Sequence, residues 1–225
     1  MSLKLYVHPL SQPARALLLF CRANSIPFQE HVVDLIKGEH KREEYKKVNP
    51  FQKVPVISHD GFLLTESVAI LRYLSRTFSV PDHWYPKESE LQARIDAYMA
   101  WQHLNLRSYG SMYFQTGYVI PRTFKQPVNE QKLSKFEKGL ETALDEITDI
   151  WLKDGPFIGG GKQISVADLL AVTEMEQPGM AGYDVKTYNK RITEYMNTVR
   201  EILQPHYDQI HSECHKIQEK ALKKA

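Results

Sequence analysis

The residues of this chain best suited to chemistry stand at the junctions of expected elements. Ser11 lies in Leu10-Ser11-Gln12-Pro13-Ala14-Arg15, between a strand-like run and a helix. Pro13 suits the first turn of that helix, where the N–H it lacks would have no partner. A hydroxyl here would sit at the carboxyl end of a strand beside a helix N-terminus, a usual ligand crevice in open α/β sheets. Spacing alone favours the plainer role of a helix cap. Val54-Pro55 puts a proline at a strand entrance, where it cannot donate to the ladder. A cis bond there would turn the Val54 N–H and C=O outward, free to pair with an extended peptide. Thr65-Glu66-Ser67 opens a further helix; its N–H groups and the Ser67 hydroxyl suit a carboxylate, and Glu66 suits an ammonium. Both charged ends of an amino acid could thus be held at one turn, with a peptide backbone paired at Val54.

Other chemistries find little support. Cys21 and Cys214 are the only cysteines and form no C-x-x-C motif, so neither a disulfide scaffold nor a zinc ribbon is expected. His211 and His215 share a helix face but lack a third strong ligand, and no metal is expected. There is no Gly-x-Ser-x-Gly elbow. Gly159-Gly160-Gly161 follows no strand and lacks a Lys-Ser/Thr in register, so it reads as a turn. A net charge of +2 gives no argument for nucleic acid. Residues 1–78 carry 11 Lys/Arg against 7 Asp/Glu, a mildly basic bias suited at most to a small anion. The longest apolar run, Ala16 to Cys21, is far below the roughly 20 residues of a membrane span. No secretory segment is read at the N-terminus, and a reduced, cytoplasmic protein is the expectation.

The elements that must position these residues alternate in the first third. Leu3, Leu5 and Val7 read as a strand; Ala14, Leu17, Leu18 and Cys21 as a helix ended by Asn24-Ser25-Ile26-Pro27; Phe28 to Val33 as a second strand. A charged stretch from Lys37 to Lys47 suits a short exposed helix. Val54 to Ile57, a turn at His59-Asp60-Gly61 and Phe62 to Leu64 form a hairpin, and Val68, Ile70, Leu71 and Leu74 return to helical spacing. The order predicts a mixed four-stranded sheet with three helices, its first two strands parallel and the hairpin antiparallel. Residues 79–88 read as a linker. The remainder, 89–225, reads as helix, most clearly in Leu133, Phe136, Leu140, Leu144, Ile147 and Trp151. The last residues, 216–225, are charged and expected to fray.

Three stretches together resemble the glutathione S-transferases: Ser11, Pro13 and Arg15; Lys53-Val54-Pro55; and Thr65-Glu66-Ser67-Val68-Ala69-Ile70. The wording is most similar to the theta class at residues 33–40, at Val48-Asn49-Pro50 and at Trp101-Gln102-His103. Ser165-Val166-Ala167-Asp168 resembles the capping box of the family's later helix, so the resemblance spans nearly the whole chain. It implies a thioredoxin-like domain at 1–78 that binds glutathione and an all-helical domain at 89–225 that contributes the electrophile pocket. It further implies a homodimer, and glutathione as co-substrate with no other cofactor. A detoxifying conjugation of alkyl halides and epoxides follows, with organic hydroperoxides as further substrates. The alternative is a non-catalytic ligand carrier or assembly module on the same scaffold.

By resemblance, Ser11 stabilises the glutathione thiolate, Val54 pairs with the cysteinyl backbone, and Pro55 is the structural cis-proline. Glu66 and Ser67 hold the γ-glutamyl end, while His40 and Lys53 approach the glycyl carboxylate. Arg107 reaches the site from the helical domain, and Leu10, Leu104 and Arg107 line the electrophile pocket. Tyr6, within the first strand, is not assigned the thiol. The resemblance also implies a C-terminal segment shorter than in vertebrate theta proteins, and hence a more open pocket. Phe51, four residues before Pro55, is read either as a dimer-interface aromatic or as a core phenylalanine.

Overall fold

The computed structural model describes residues 2–223. The chain runs β1 (Leu3–Val7), α1 (Gln12–Ala23), β2 (Gln29–Val32), α2 (Glu43–Lys46), β3 (Val56–His59), β4 (Phe62–Leu64) and α3 (Ser67–Thr77). The sheet order is β2-β1-β3-β4, with β1 and β2 parallel and the other two pairs antiparallel. This is the expected mixed four-stranded sheet of a thioredoxin-like domain. Asp60 (φ 47°) and Gly61 (φ 89°) turn the β3–β4 hairpin, the double positive φ that matches the twist of tight hairpins. Leu3, Leu5 and Val7 enter the core. Tyr6 points to the other face, where its ring lies 5.0 Å from His31 and 6.3 Å from Tyr45.

Differences from the expected spans have local causes. Pro55 has no N–H, and the strand expected from Val54 begins at Val56. The charged stretch folds as a 3-10 turn at Glu39–Lys41 followed by the single turn of α2. The 79–88 stretch is not bare coil: a 3-10 turn at Asp82–Trp84 buries Trp84 against Phe20.

The second part of the chain is helical: α4 (Ser89–Trp101), α5 (Leu106–Phe114), α6 (Ile120–Phe124), α7 (Glu130–Glu146), α8 (Val166–Met175), α9 (Lys190–Ile202) and α10 (His206–Leu222). Two π-helical turns, Gln115–Val119 and Ile147–Trp151, extend α5 and α7. α8 is buried along its whole length and packs against α1. One continuous apolar core therefore joins the sheet, α1 and α3 to α4, α5, α7, α8 and α9. The first helix, which carries Ser11 at its start, is therefore packed from the helical side as well as within the first domain.

Candidate active site

Ser11 is the N-cap residue of α1, in extended conformation (φ −90°, ψ 115°) and 9% exposed. Its N–H donates to the His8 carbonyl (2.9 Å), and its own carbonyl accepts from the Arg15 N–H (3.0 Å). Its hydroxyl makes no capping bond to the helix. The plainer role that spacing favoured is therefore not realised. The hydroxyl is left at the helix start, where N–H groups and the helix dipole favour negative charge.

The preceding turn is held by buried groups. Leu10 N–H donates to His8 Nδ1 (3.2 Å), which fixes His8 as the neutral tautomer protonated on Nε2. Burial lowers the His8 pKa; Asp34 opposes this, and the neighbouring His40 adds to it. Arg15 is fully buried. One guanidinium nitrogen donates to Pro9 O (3.0 Å), and another donates to Thr173 O (3.0 Å) and Gln177 Oε1 (2.8 Å).

The Val54–Pro55 bond is cis. Val54 is half-buried and precedes the β3 ladder, with neither its N–H nor its C=O in a backbone hydrogen bond among the described residues. The loop before it is braced by Lys53 O, which accepts from Tyr45 Oη (2.8 Å) and Asn49 Nδ2 (2.7 Å). The Lys53 side chain is exposed.

Glu66 adopts φ 66° and ψ 107° at the start of α3. A non-glycine residue in this region is uncommon, and such strain concentrates at ligand clamps. Its carbonyl accepts from Ile70 N–H (2.9 Å), while its exposed carboxylate takes no capping bond. Ser67 is the first residue of α3 and half-buried. His40 lies in the 3-10 turn, with its Nδ1 buried and unpartnered. Burial, with the charge of Lys41, lowers its pKa.

Residues from the helical side divide. Arg107, at the start of α5, pairs with Glu174 of α8, whose side chain is 1% exposed. It is thus anchored on the bundle by this ion pair, with 32% of its side chain still exposed. Leu104 is 80% exposed and belongs to neither apolar cluster. Leu10 packs on a second cluster formed by Phe114, Met180 and Cys214, with Tyr118 and Ile217 at its edge. These last residues were not read from the sequence. The π turn at 115–119 removes Tyr118 from regular helical spacing, and Ile217 arrives from α10 more than 200 positions away. The signal available was the aromatic content around Tyr113, Phe114 and Tyr118.

Comparison with known proteins agrees with this geometry. The family pattern for the glutathione S-transferase N-terminal domain matches residues 1–76. The chain is 43% identical over 185 residues to glutathione S-transferase theta-1 of Homo sapiens, covering 82% of this chain and 77% of that protein. It is 42% identical over 182 residues to theta-3 of Mus musculus, covering 81% and 75%. A crystal structure of human glutathione transferase theta-2, in complex with glutathione and an unknown ligand, superposes with a TM-score of 0.92. Identity to it is 33%, with 100% of this chain and 92% of that one covered. The human theta-class enzyme in complex with the glutathione conjugate of 1-menaphthyl sulfate gives a TM-score of 0.87 at 33% identity, with 99% and 92% covered.

The chain belongs to the glutathione S-transferase family. Within it the chain is of the theta class, a glutathione transferase with glutathione as its co-substrate.

Proposed function

We propose that the protein conjugates the glutathione thiolate to small electrophiles, alkyl halides and epoxides first among them, and reduces organic hydroperoxides with the same thiol. The observation that carries this reading is the Ser11 hydroxyl, uncommitted to capping at the start of α1. An ordinary thiol has a pKa of about 8.5 and is mostly protonated near neutrality. A hydroxyl donating to sulfur, beside the positive end of a helix dipole, favours the thiolate. Ser11 acts as donor, neither as base nor as covalent nucleophile. A carbon–sulfur bond forms as the halide departs, or as an epoxide carbon–oxygen bond breaks and the alkoxide takes a proton from water. With a hydroperoxide the thiolate attacks the outer oxygen, and the O–O bond breaks to release the alcohol. A second glutathione thiol then displaces water from the resulting sulfenic acid to give the disulfide.

Residues 1–78 form the glutathione-binding unit, 79–88 the linker, and 89–225 the unit that supplies the electrophile side. Val54 offers its unpaired backbone to the cysteinyl residue, and Glu66 and Ser67 receive the γ-glutamyl amine and carboxylate. His40 and Lys53 supply the basic approach to the glycyl carboxylate. The electrophile pocket is built on Leu10, with Leu104 and Arg107 contributed from the helical side. Sulfate esters join the candidate substrates because a theta-class relative holds the conjugate of 1-menaphthyl sulfate. The protein works as a cytoplasmic homodimer. Assay of purified protein with glutathione against an alkyl halide, an epoxide, an arylmethyl sulfate and cumene hydroperoxide tests the reading. Glutathione-dependent turnover of at least one is expected, and binding of glutathione with no turnover across the panel would overturn it.

A further inference from the structure

Arg15 is the largest fully buried side chain among the described residues, yet its hydrogen-bond partners there include no carboxylate. Its three acceptors are neutral oxygens: Pro9 O, Thr173 O and Gln177 Oε1. Desolvating a guanidinium costs several kcal/mol, and an apolar side chain would fill the same space without that cost. Gln177, also fully buried, uses both ends of its amide. Oε1 accepts from Arg15 (2.8 Å) and Nε2 donates to Leu10 O (3.0 Å). Only one amide orientation satisfies both partners, because a guanidinium can only donate and a carbonyl can only accept.

The two carbonyls held in this way, Pro9 O and Leu10 O, belong to the residues immediately before Ser11. Fixing them fixes the peptide planes that lead into Ser11, and with its N–H tied to His8 O the direction of its Cα–Cβ bond follows. Leu10 O is held across the domain junction by Gln177 itself. Pro9 O is held by Arg15 of α1, whose other guanidinium nitrogen is anchored across that junction on Thr173 O of α8 and on Gln177 just beyond it.

We propose that Gln177 and Arg15 are positioning residues for the Ser11 hydroxyl, so that seating of α8 on α1 sets how well the bound thiol is activated. This rests on the reading of Ser11 as the thiolate's hydrogen-bond donor. Neither residue touches sulfur; both act through the turn. A hydroxyl displaced by a fraction of an ångström still lets glutathione bind through its other anchors but donates poorly to sulfur.

The test compares wild type, Ser11→Ala, Gln177→Met and the double variant. Thermal unfolding and near-ultraviolet circular dichroism confirm the fold, calorimetry gives glutathione affinity, and thiolate absorbance against pH gives the pKa of the bound thiol. Gln177→Met keeps the volume and removes both hydrogen bonds. It is expected to leave glutathione Kd within about threefold, raise the bound thiol pKa by about one unit, and lower kcat/KM at pH 6.5 by about tenfold. The double variant is expected to match Ser11→Ala, since a misplaced hydroxyl no longer matters once it is gone. A wild-type thiol pKa in Gln177→Met, or a penalty that adds to that of Ser11→Ala, overturns the proposal while leaving the Ser11 reading intact. A wild-type thiol pKa in Ser11→Ala overturns both. Should Gln177→Met fold poorly, Arg15→Lys serves: it keeps the charge but loses the planar fork, and the same shift is expected.

Discussion

A serine hydroxyl at a helix start has two competing uses, and Ser11 leaves the first of them, capping, unfilled. Had the hydroxyl accepted a hydrogen bond from the first turn, its lone pairs and orientation would be committed to the backbone. The extended Ser11 backbone instead accompanies a hydroxyl with no capping bond. Ser11→Ala is therefore expected to cost little stability and much chemistry. On the proposed reading, in which Val54, Glu66, Ser67, His40 and Lys53 supply the anchoring, glutathione affinity should change little. At pH 6.5, kcat and kcat/KM should fall together by roughly 10²–10³-fold, the cost of losing one preorganised donor. Activity should recover as pH rises and solution supplies the thiolate, which a pH–rate profile beside calorimetric binding checks; wild-type turnover at pH 6.5 would sink the assignment. The placement of Ser11 and Ser67 at helix starts and of Val54 before a cis-proline was legible because proline and helix-start signals are local. The partner of Arg107 was not: whether an arginine is free or paired depends on Glu174, 67 positions along the chain, and no local pattern announces that partner. The strain at Glu66 was equally hidden, since a positive φ at a glutamate runs against every local preference.

At the scale of elements, strands and helices followed from periodicity and the capping box from its four-residue motif, and the box also shows what such local signals leave out. Ser165 caps α8 through Ala167 N–H (3.2 Å), and the Asp168 carboxylate returns to Ser165 N–H (2.8 Å). A box alone is worth about 0.5–2 kcal/mol. Asp168, however, is fully buried and also accepts from Ile158 N–H (2.8 Å), Ser165 Oγ (2.9 Å) and Tyr195 Oη (2.9 Å). It thereby ties the loop before α8 and the helix α9 to one carboxylate. Asp168→Ala would leave these buried donors without partners, at about 1–3 kcal/mol each where no water reaches them. A loss of about 3–5 kcal/mol is expected from denaturant midpoints, with activity of the folded fraction retained at low temperature. A loss of only 0.5–2 kcal/mol would mean that the cap is its whole role. The sequence showed the four-residue motif but not the two remote partners, because long-range hydrogen bonds leave no periodic trace. Tyr118, displaced by a π turn, escaped for a related reason: the register itself had changed.

At the scale of the whole molecule one main core is shared by two architectures, and responses to pH and to association follow from what is buried and what is left exposed. His211 is fully buried on α10, with its Nδ1 hydrogen-bonded to Tyr207 O (2.9 Å). Burial first and the Arg15 charge second push its pKa down to about 3, against the opposing pull of Glu176. The unfolded chain therefore takes up a proton below about pH 6.5 that the folded one refuses, and stability falls with pH from there toward 3. Relative to His211→Asn, the wild-type protein should lose roughly 1.4 kcal/mol per pH unit across pH 4–6; parallel stability curves for the two would show that His211 does not titrate this way. At the outer surface, Phe51 resolves one of its two readings: at 68% exposure it is no core residue. Its position follows from local hydrogen bonds, since Asn49 Oδ1 accepts from Phe51 N–H (2.9 Å) and Gln52 turns at φ 55°, presenting the ring to solvent ahead of the cis-proline. No intrachain packing accounts for that exposure, and a two-fold dimer would use the ring twice, once from each subunit. Fully burying one phenylalanine is worth about 1.5–3 kcal/mol, so a dimer that buries both rings gains about 3–6 kcal/mol, or roughly 10²–10⁴-fold in dissociation constant. Phe51→Ala is thus expected to weaken self-association by at least 10²-fold in equilibrium sedimentation while leaving the thermal midpoint of the isolated subunit unchanged, because no core contact is lost. An unchanged dissociation constant, or a wild-type protein that does not self-associate, would remove the interface role of Phe51.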